Sequence, residues 1–307
     1  MSDDQRSVTT ANYREATLDE WQEAFWRLYC KADRRLPLYE MMLQVVVDSS
    51  RLAEAMRKGR YVEALPHIPR IFSWLCTLTA KCREEPDRYS DLVSERSHLS
   101  DMIWQKYPRV CALCAQEKCI CPALHVDSLS SKDRSAYTRT LETVLTRARA
   151  HNEHPGSLDS WVDMFEDIYG AVNATRSSAE KTFHYLEEVG EVEVELRKAD
   201  RIKNNAVPAG QEDRYSTIEF EAEIADVFSW LTAVFLHINN SWRRADELVA
   251  AFRDRVLVQA EVLSETPDFS PTLSEWLWHE FGSEEGGLRC HRCRESSCRC
   301  KAGVRRR

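Results

Sequence analysis

An all-α fold is what the 307-residue sequence predicts, and three observations predict it. Only 9 Gly and 10 Pro occur, too few for the turn-dense connections of a β-sandwich. Aromatic residues recur at helical spacing: Trp21, Phe25 and Tyr29 stand at i, i+4 and i+8, and Trp161, Phe165 and Tyr169 repeat the interval. Finally, the helical pattern is written twice in the same order, which points to a chain of two copies.

The first repeated element is Leu18-Asp19-x-Trp21-x3-Phe25-x3-Tyr29, which returns 140 residues later as Leu158-Asp159-x-Trp161-x3-Phe165-x3-Tyr169. Thr17 and Ser157 precede these runs, where a hydroxyl N-cap satisfies free backbone N–H groups. Segments 40–58 and 67–82 in the first half, and 180–200 and 218–238 in the second, also read as helices. Phe72-Ser73-Trp74-Leu75 returns as Phe228-Ser229-Trp230-Leu231, displaced by 156. Leu99-Ser100-Asp101-x2-Trp104 returns as Leu273-Ser274-Glu275-x2-Trp278, displaced by 174. Last comes Cys111-x2-Cys114-x4-Cys119-x-Cys121, repeated as Cys290-x2-Cys293-x4-Cys298-x-Cys300 at a displacement of 179. The order is kept while the offset grows, as insertions in the second copy would produce. A turn-rich stretch from His151 to Gly156 marks the boundary, giving units 1–150 and 151–307. A helix over 134–150 has no counterpart and connects them.

Charge narrows the function classes. The net charge of −8 divides into +7 for Arg289 to Arg307 and −15 for the remainder. An acidic body argues against a nucleic-acid binder, though the basic tail leaves contact with phosphates open. The longest apolar run, Val227 to Ile238, is shorter than the roughly 20 residues a membrane span needs. The start, MSDDQRS, lacks the pattern of an export signal, so a cytoplasmic location without membrane partners is the expectation.

Carboxylates on two helices form the candidate chemistry. Glu187, Glu188 and Glu191 lie at i, i+1 and i+4 on one helical surface, and Glu223 and Asp226 stand at i, i+3 on a later helix. Facing each other, these acids repel unless a hard divalent cation lies between them, and magnesium suits phosphoryl chemistry. Interleaved Val189, Val192, Leu196, Ile224, Val227, Phe228 and Leu231 require both helices to bury a nearby face. In the first half the corresponding positions hold Leu43, Gln44, Val47, His67 and Arg70, none of them acidic. Loss of the whole set reads as one site retired as a unit.

The phrase EEVGEVEVELRK from Glu187, followed by EIADVFSWL from Glu223, resembles the MazG-like all-α nucleotide pyrophosphohydrolases. The resemblance covers about 158–260 and, in degenerate form, about 17–82. It implies tandem four-helix units forming an intramolecular pseudo-dimer. It also implies Mg²⁺-dependent cleavage of nucleoside triphosphates to monophosphate and pyrophosphate. Glu188, Glu191, Glu223 and Asp226 would then ligate Mg²⁺, with Glu187 as base or water-orienting group. Asn239, Asn240, Arg243, Lys203 and Trp230 are candidate substrate contacts, Trp230 with core packing as the alternative. The interval of 31 residues between the acidic clusters, 192–222, is long for such proteins. Because family members build sites from neighbouring copies, the first half could contribute Arg70, His67 or Trp74, and a homo-oligomer is left open. The competing reading is a catalytically weak scaffold that senses nucleotides or binds partners through its Cys motifs and basic tail.

The Cys motifs are the second chemistry. Four thiolates within eleven residues suit a closed tetrahedral Zn²⁺ site that clamps a segment lacking a core of its own. Disulfides or redox switching are the alternative, disfavoured in a reducing compartment. Ligand exchange between the two clusters is left open. Cys30, Cys76 and Cys82 fall in helical segments and read as small buried residues.

Overall fold

The computed structural model describes residues 7–90, 92–93, 98–124, 131–204, 219–242 and 271–300. Among them the chain forms α1 (Leu18–Asp33), α2 (Leu38–Arg57), α3 (Tyr61–Ala64), α4 (His67–Glu84), α5 (Pro86–Tyr89), α6 (Leu99–Lys106), α7 (Cys121–Leu124), α8 (Ser131–His151), α9 (Leu158–Thr175), α10 (Ser178–Lys203), α11 (Phe220–Trp242) and α12 (Leu273–Phe281). No strand forms among the described residues beyond an isolated bridge between Gly282 and Leu288. The fold is all-α.

The helices begin where side chains satisfy their free donors. Thr17 accepts from the Glu20 N–H at 3.1 Å while Glu20 accepts from the Thr17 N–H at 2.8 Å, closing a capping box at α1. Ser157 accepts from the Ser160 N–H at 3.2 Å at the head of α9. Next to it, the Leu158 N–H donates to the Ala16 carbonyl at 3.1 Å, so α1 and α9 start side by side. Helix α10 opens on a further capping box between Ser177 and Glu180.

The core runs through both halves of the chain. Helix α11 lies inside it because Phe220, Ile224, Val227, Phe228, Leu231, Val234 and Ile238 bury surface on several sides, against α10, α9, α6 and α4. Burying each such side chain contributes about 1.5–3 kcal/mol. Four phenylalanines form a row, Phe25–Phe72–Phe228–Phe165, with successive ring centroids 6.1, 6.1 and 5.9 Å apart. Its two ends are corresponding residues of the repeat, and so are its two middle members.

Other contacts also come in corresponding pairs, and they cross between halves. Tyr107, just after α6, packs edge-on against Phe165 and Tyr169 of α9. Phe281, ending α12, packs edge-on against Phe25 and Tyr29 of α1. The Cys119 N–H donates to the Ile168 carbonyl of α9 at 2.8 Å, and the Cys298 N–H donates to the Leu28 carbonyl of α1 at 2.8 Å. Each Cys motif therefore docks on the opening helix of the other half. The connecting helix α8 braces the first motif, with the Tyr137 hydroxyl donating to the Leu113 carbonyl.

Candidate functional site

Glu188 and Glu191 project from α10 and Glu223 from α11, and one carboxylate oxygen from each lies within 4.8 Å of the others. The helices run antiparallel here, since residues rising along α11 meet residues falling along α10. Glu191 stands by Glu223, His184 stacks on Trp230 at 4.7 Å, and Lys181 reaches His237 at 3.4 Å. Burial is the main reason the Glu188 carboxyl is pushed up to about 7, with Asp226 and Glu191 adding repulsion. Burial likewise pushes Glu223 up to about 8; Lys106 opposes the shift, while Asp226 and Glu191 add to it. Glu223 is only 8% exposed, and its buried Oε2 accepts no hydrogen bond from the described residues. A hard divalent cation fits this donor set: it would pair the orphaned oxygen and relieve both repelled carboxyls.

Asp226 is not in that triad. Its carboxylate accepts from the Lys106 ammonium and from the Tyr107 hydroxyl, both at the end of α6 in the first half. Lys106 also reaches the Ala222 carbonyl at 3.4 Å. Burial holds the Tyr107 hydroxyl well above its usual pKa, so it stays a donor. Lys106 and Tyr107 were not singled out by sequence reasoning. A signal was present: they align with Glu280 and Phe281 at the 174-residue offset. Across the repeat the charges are reversed, because Arg70 of α4, aligned with Asp226, pairs with Glu280 at 2.8 Å.

The first half shows what fills the corresponding place. His67, aligned with Glu223, hydrogen-bonds the buried Asp48 at 3.1 Å. Trp74, aligned with Trp230, is fully enclosed in the core. None of Arg70, His67 and Trp74 lines the cleft beside the acids; the first half contributes Lys106 and Tyr107 at the end of α6 and its Cys motif instead.

That cleft has a volume of about 520 Å³ and is lined by Glu188, Asp226, Tyr169, Arg176, Trp230 and the first Cys motif. Trp230 is partly exposed, with the Arg176 guanidinium 5.0 Å from its ring centroid. A second cavity of about 430 Å³ holds Asn240, Lys181 and His237 and shares Asn173 and Arg176 with the first. Asn239 is turned to structure: it is 6% exposed and donates to the Pro271 carbonyl at 2.8 Å. Lys203, at the far end of α10, is exposed and reaches the Arg88 carbonyl at 3.5 Å, away from the acids. Glu187 is exposed and joined to His184 at 3.2 Å. Arg243, residues 205–217 of the interval after Lys203, and Arg305 to Arg307 lie outside the described residues.

In each Cys motif the four sulfurs lie within 4.8 Å of one another, so each set can hold one metal ion. The Cys111 Sγ is 3.6 Å from that of Cys119 and 3.5 Å from that of Cys121. Zn–S bonds of about 2.3 Å give tetrahedron edges of about 3.8 Å, so the spacing suits zinc. None of the eleven cysteines is in a disulfide, and among the described residues no ligand set mixes the two motifs. Their backbones match: the Cys111 N–H bonds the Gln116 carbonyl at 2.9 Å and the Cys290 N–H bonds the Glu295 carbonyl at 3.0 Å. Ala115 and Arg294 turn the chain at φ +53° and φ +58° (non-glycine residues in the left-handed region). Cys76 and Cys82 are buried in α4, as small apolar residues would be. No helix among the described residues is long and apolar enough to cross a membrane. Searches of protein-family models, curated proteins and solved structures returned no match to this chain.

Proposed function

We propose that the chain is a Mg²⁺-dependent nucleotide pyrophosphohydrolase of the MazG-like type, cleaving nucleoside triphosphates to monophosphates and pyrophosphate. In this reading two copies form an intramolecular pseudo-dimer, and only the second keeps its acids. One observation carries it: three carboxylates converge beside an open cleft, with a buried Glu223 oxygen that has no hydrogen-bond partner among the described residues.

Glu188, Glu191 and Glu223, with Asp226 beside them, are the residues that would hold magnesium, which when bound neutralises phosphate oxygens and activates water. The chain's own groups supply the remainder. Glu187, exposed on α10 next to Glu188, orients a water oxygen toward the α-phosphorus and takes its proton. A new P–O bond forms as the bond to the β-phosphate oxygen breaks, and pyrophosphate leaves with that electron pair. Tyr107 and Lys106 fix the Asp226 carboxylate, which keeps the acid set in register. Arg176, a cation beside Trp230 in the cleft, attracts the anionic nucleotide as a whole.

Turnover of nucleoside triphosphates by the full chain with Mg²⁺ tests this directly. Glu191→Gln and Asp226→Asn are each expected to lower kcat by at least a hundredfold while melting curves stay near wild type. Unchanged rates in both variants would remove the assignment. The second reading, a nucleotide-binding scaffold, draws on the Lys106 and Tyr107 hold on Asp226, which already satisfies one candidate ligand. Binding without turnover is its signature.

A further inference from the structure

The two Cys motifs share a backbone, yet their surroundings differ. The first one forms a wall of the cleft that Glu188 and Asp226 also line. Leu113 stands on that wall and is 61% exposed, a large apolar side chain facing water instead of the core. Its backbone is braced by Tyr137, and its motif is fixed to α9 through Cys119. Nothing in packing requires leucine there; the corresponding position in the second motif is Arg292. In the same cleft, Trp230 is partly exposed where Trp74, its counterpart, is enclosed. The lining of the cleft thus combines the acids Glu188 and Asp226 with Leu113, Pro122, Tyr169 and Trp230. Its volume of about 520 Å³ lies within the range of small-molecule pockets.

The geometry points to the first Cys motif as a substrate-binding element: its Leu113 face and Trp230 enclose the planar base of a nucleotide whose phosphates lie at the acids. The inference rests on the nucleotide reading above and adds the place of the base and an unequal division of labour between the motifs. The second motif docks on α1 and serves the fold. His184 stacks on Trp230 and Arg176 lies over its ring, so the base meets Leu113 and the part of Trp230 that these leave open, and gains chiefly from apolar burial. Asn173 and Ser229 on the cleft wall can hydrogen-bond its edges.

The test is steady-state kinetics on the full chain with Mg²⁺ and the four common ribonucleoside and four deoxyribonucleoside triphosphates. Leu113→Arg is expected to raise KM at least tenfold with a smaller change in kcat. Inhibition by inorganic pyrophosphate, which engages the acids alone, stays unchanged. Leu113→Ala gives a smaller KM rise of about threefold, and Arg292→Leu leaves KM as in wild type. Active wild-type protein whose KM survives both Leu113 substitutions overturns the pocket assignment and leaves the nucleotide reading standing. Wild-type protein that neither binds nor cleaves any of the eight overturns the nucleotide reading and this inference with it.

Discussion

Asp226 is held by two residues that lie about 120 positions earlier in the chain, Lys106 and Tyr107. A hydrogen bond to a charged group contributes about 1.5–3 kcal/mol, so the hydroxyl of Tyr107 fixes the carboxylate with more than incidental strength. Tyr107→Phe tests that hold cleanly, since Phe281 already occupies the corresponding place in the repeat and packs well. It should lower kcat/KM about tenfold, equivalent to about 1.4 kcal/mol, while the melting temperature falls only slightly. Full activity in the variant would show that Asp226 needs no such support. The raised carboxyls carry a pH consequence. Glu188 and Glu223 titrate near 7 and 8 when folded, against an ordinary carboxylate value when unfolded. Between those limits the native state binds more protons, so stability without metal falls as pH rises from about 5 to about 8. Melting curves in a metal-free buffer should show that decline. Added Mg²⁺ should reverse it at pH 8, and Glu223→Gln should flatten it. A rise in melting temperature over the same range, in metal-free wild type, would contradict the burial and repulsion described for these groups.

At the scale of the element, the Cys motifs turn on a non-glycine residue in the left-handed region, Ala115 in one and Arg294 in the other. That conformation costs an L-residue roughly 1–2 kcal/mol, which glycine avoids in exchange for some entropy. Ala115→Gly should therefore stabilise the zinc-loaded protein by up to about 1 kcal/mol, read as a rise in melting temperature of about 2 °C. A fall would mean that the turn is not the strained point. The helices around these motifs were legible in the chain before any coordinates. Segments 67–82, 134–150 and 180–200 lie within helices, 40–58 runs one residue past the end of α2, and the described part of 218–238 is helical from Phe220, because apolar spacing and caps such as Thr17 and Ser157 are local signals. The acid positions were legible too, as i, i+3 and i+4 spacings. What spacing alone could not reveal was the partner of Asp226. Lys106 and Tyr107 reach it only because α6 packs on α11, a long-range contact that helical periodicity does not encode. Asn239 misled in the opposite sense, since a polar residue near a helix end reads as available until Pro271 is seen to engage it.

At the scale of the whole molecule, the crossing contacts tie the halves into one core. Cys298 bonds α1 while Cys119 bonds α9, and the phenylalanine row passes from one half to the other. Each Cys motif therefore docks on a helix distant in sequence, so a metal held there would stabilise the shared core instead of a detachable tail. Purified protein should carry close to two zinc ions per chain, and a strong chelator should move a single cooperative unfolding transition to lower temperature. Two separated transitions would mean that the halves fold independently. Charge is arranged on the same scale, with the reversed pairs Asp226–Lys106 and Arg70–Glu280 occupying corresponding junctions. The first is beside the open cleft and the second closes the place where acids are missing. The central claim, an acidic site that splits the α–β phosphoanhydride, is tested most directly by ³¹P NMR of nucleoside triphosphates incubated with the full chain and Mg²⁺. The account predicts equal amounts of nucleoside monophosphate and pyrophosphate; nucleoside diphosphate with inorganic phosphate, or intact triphosphate throughout, would contradict it.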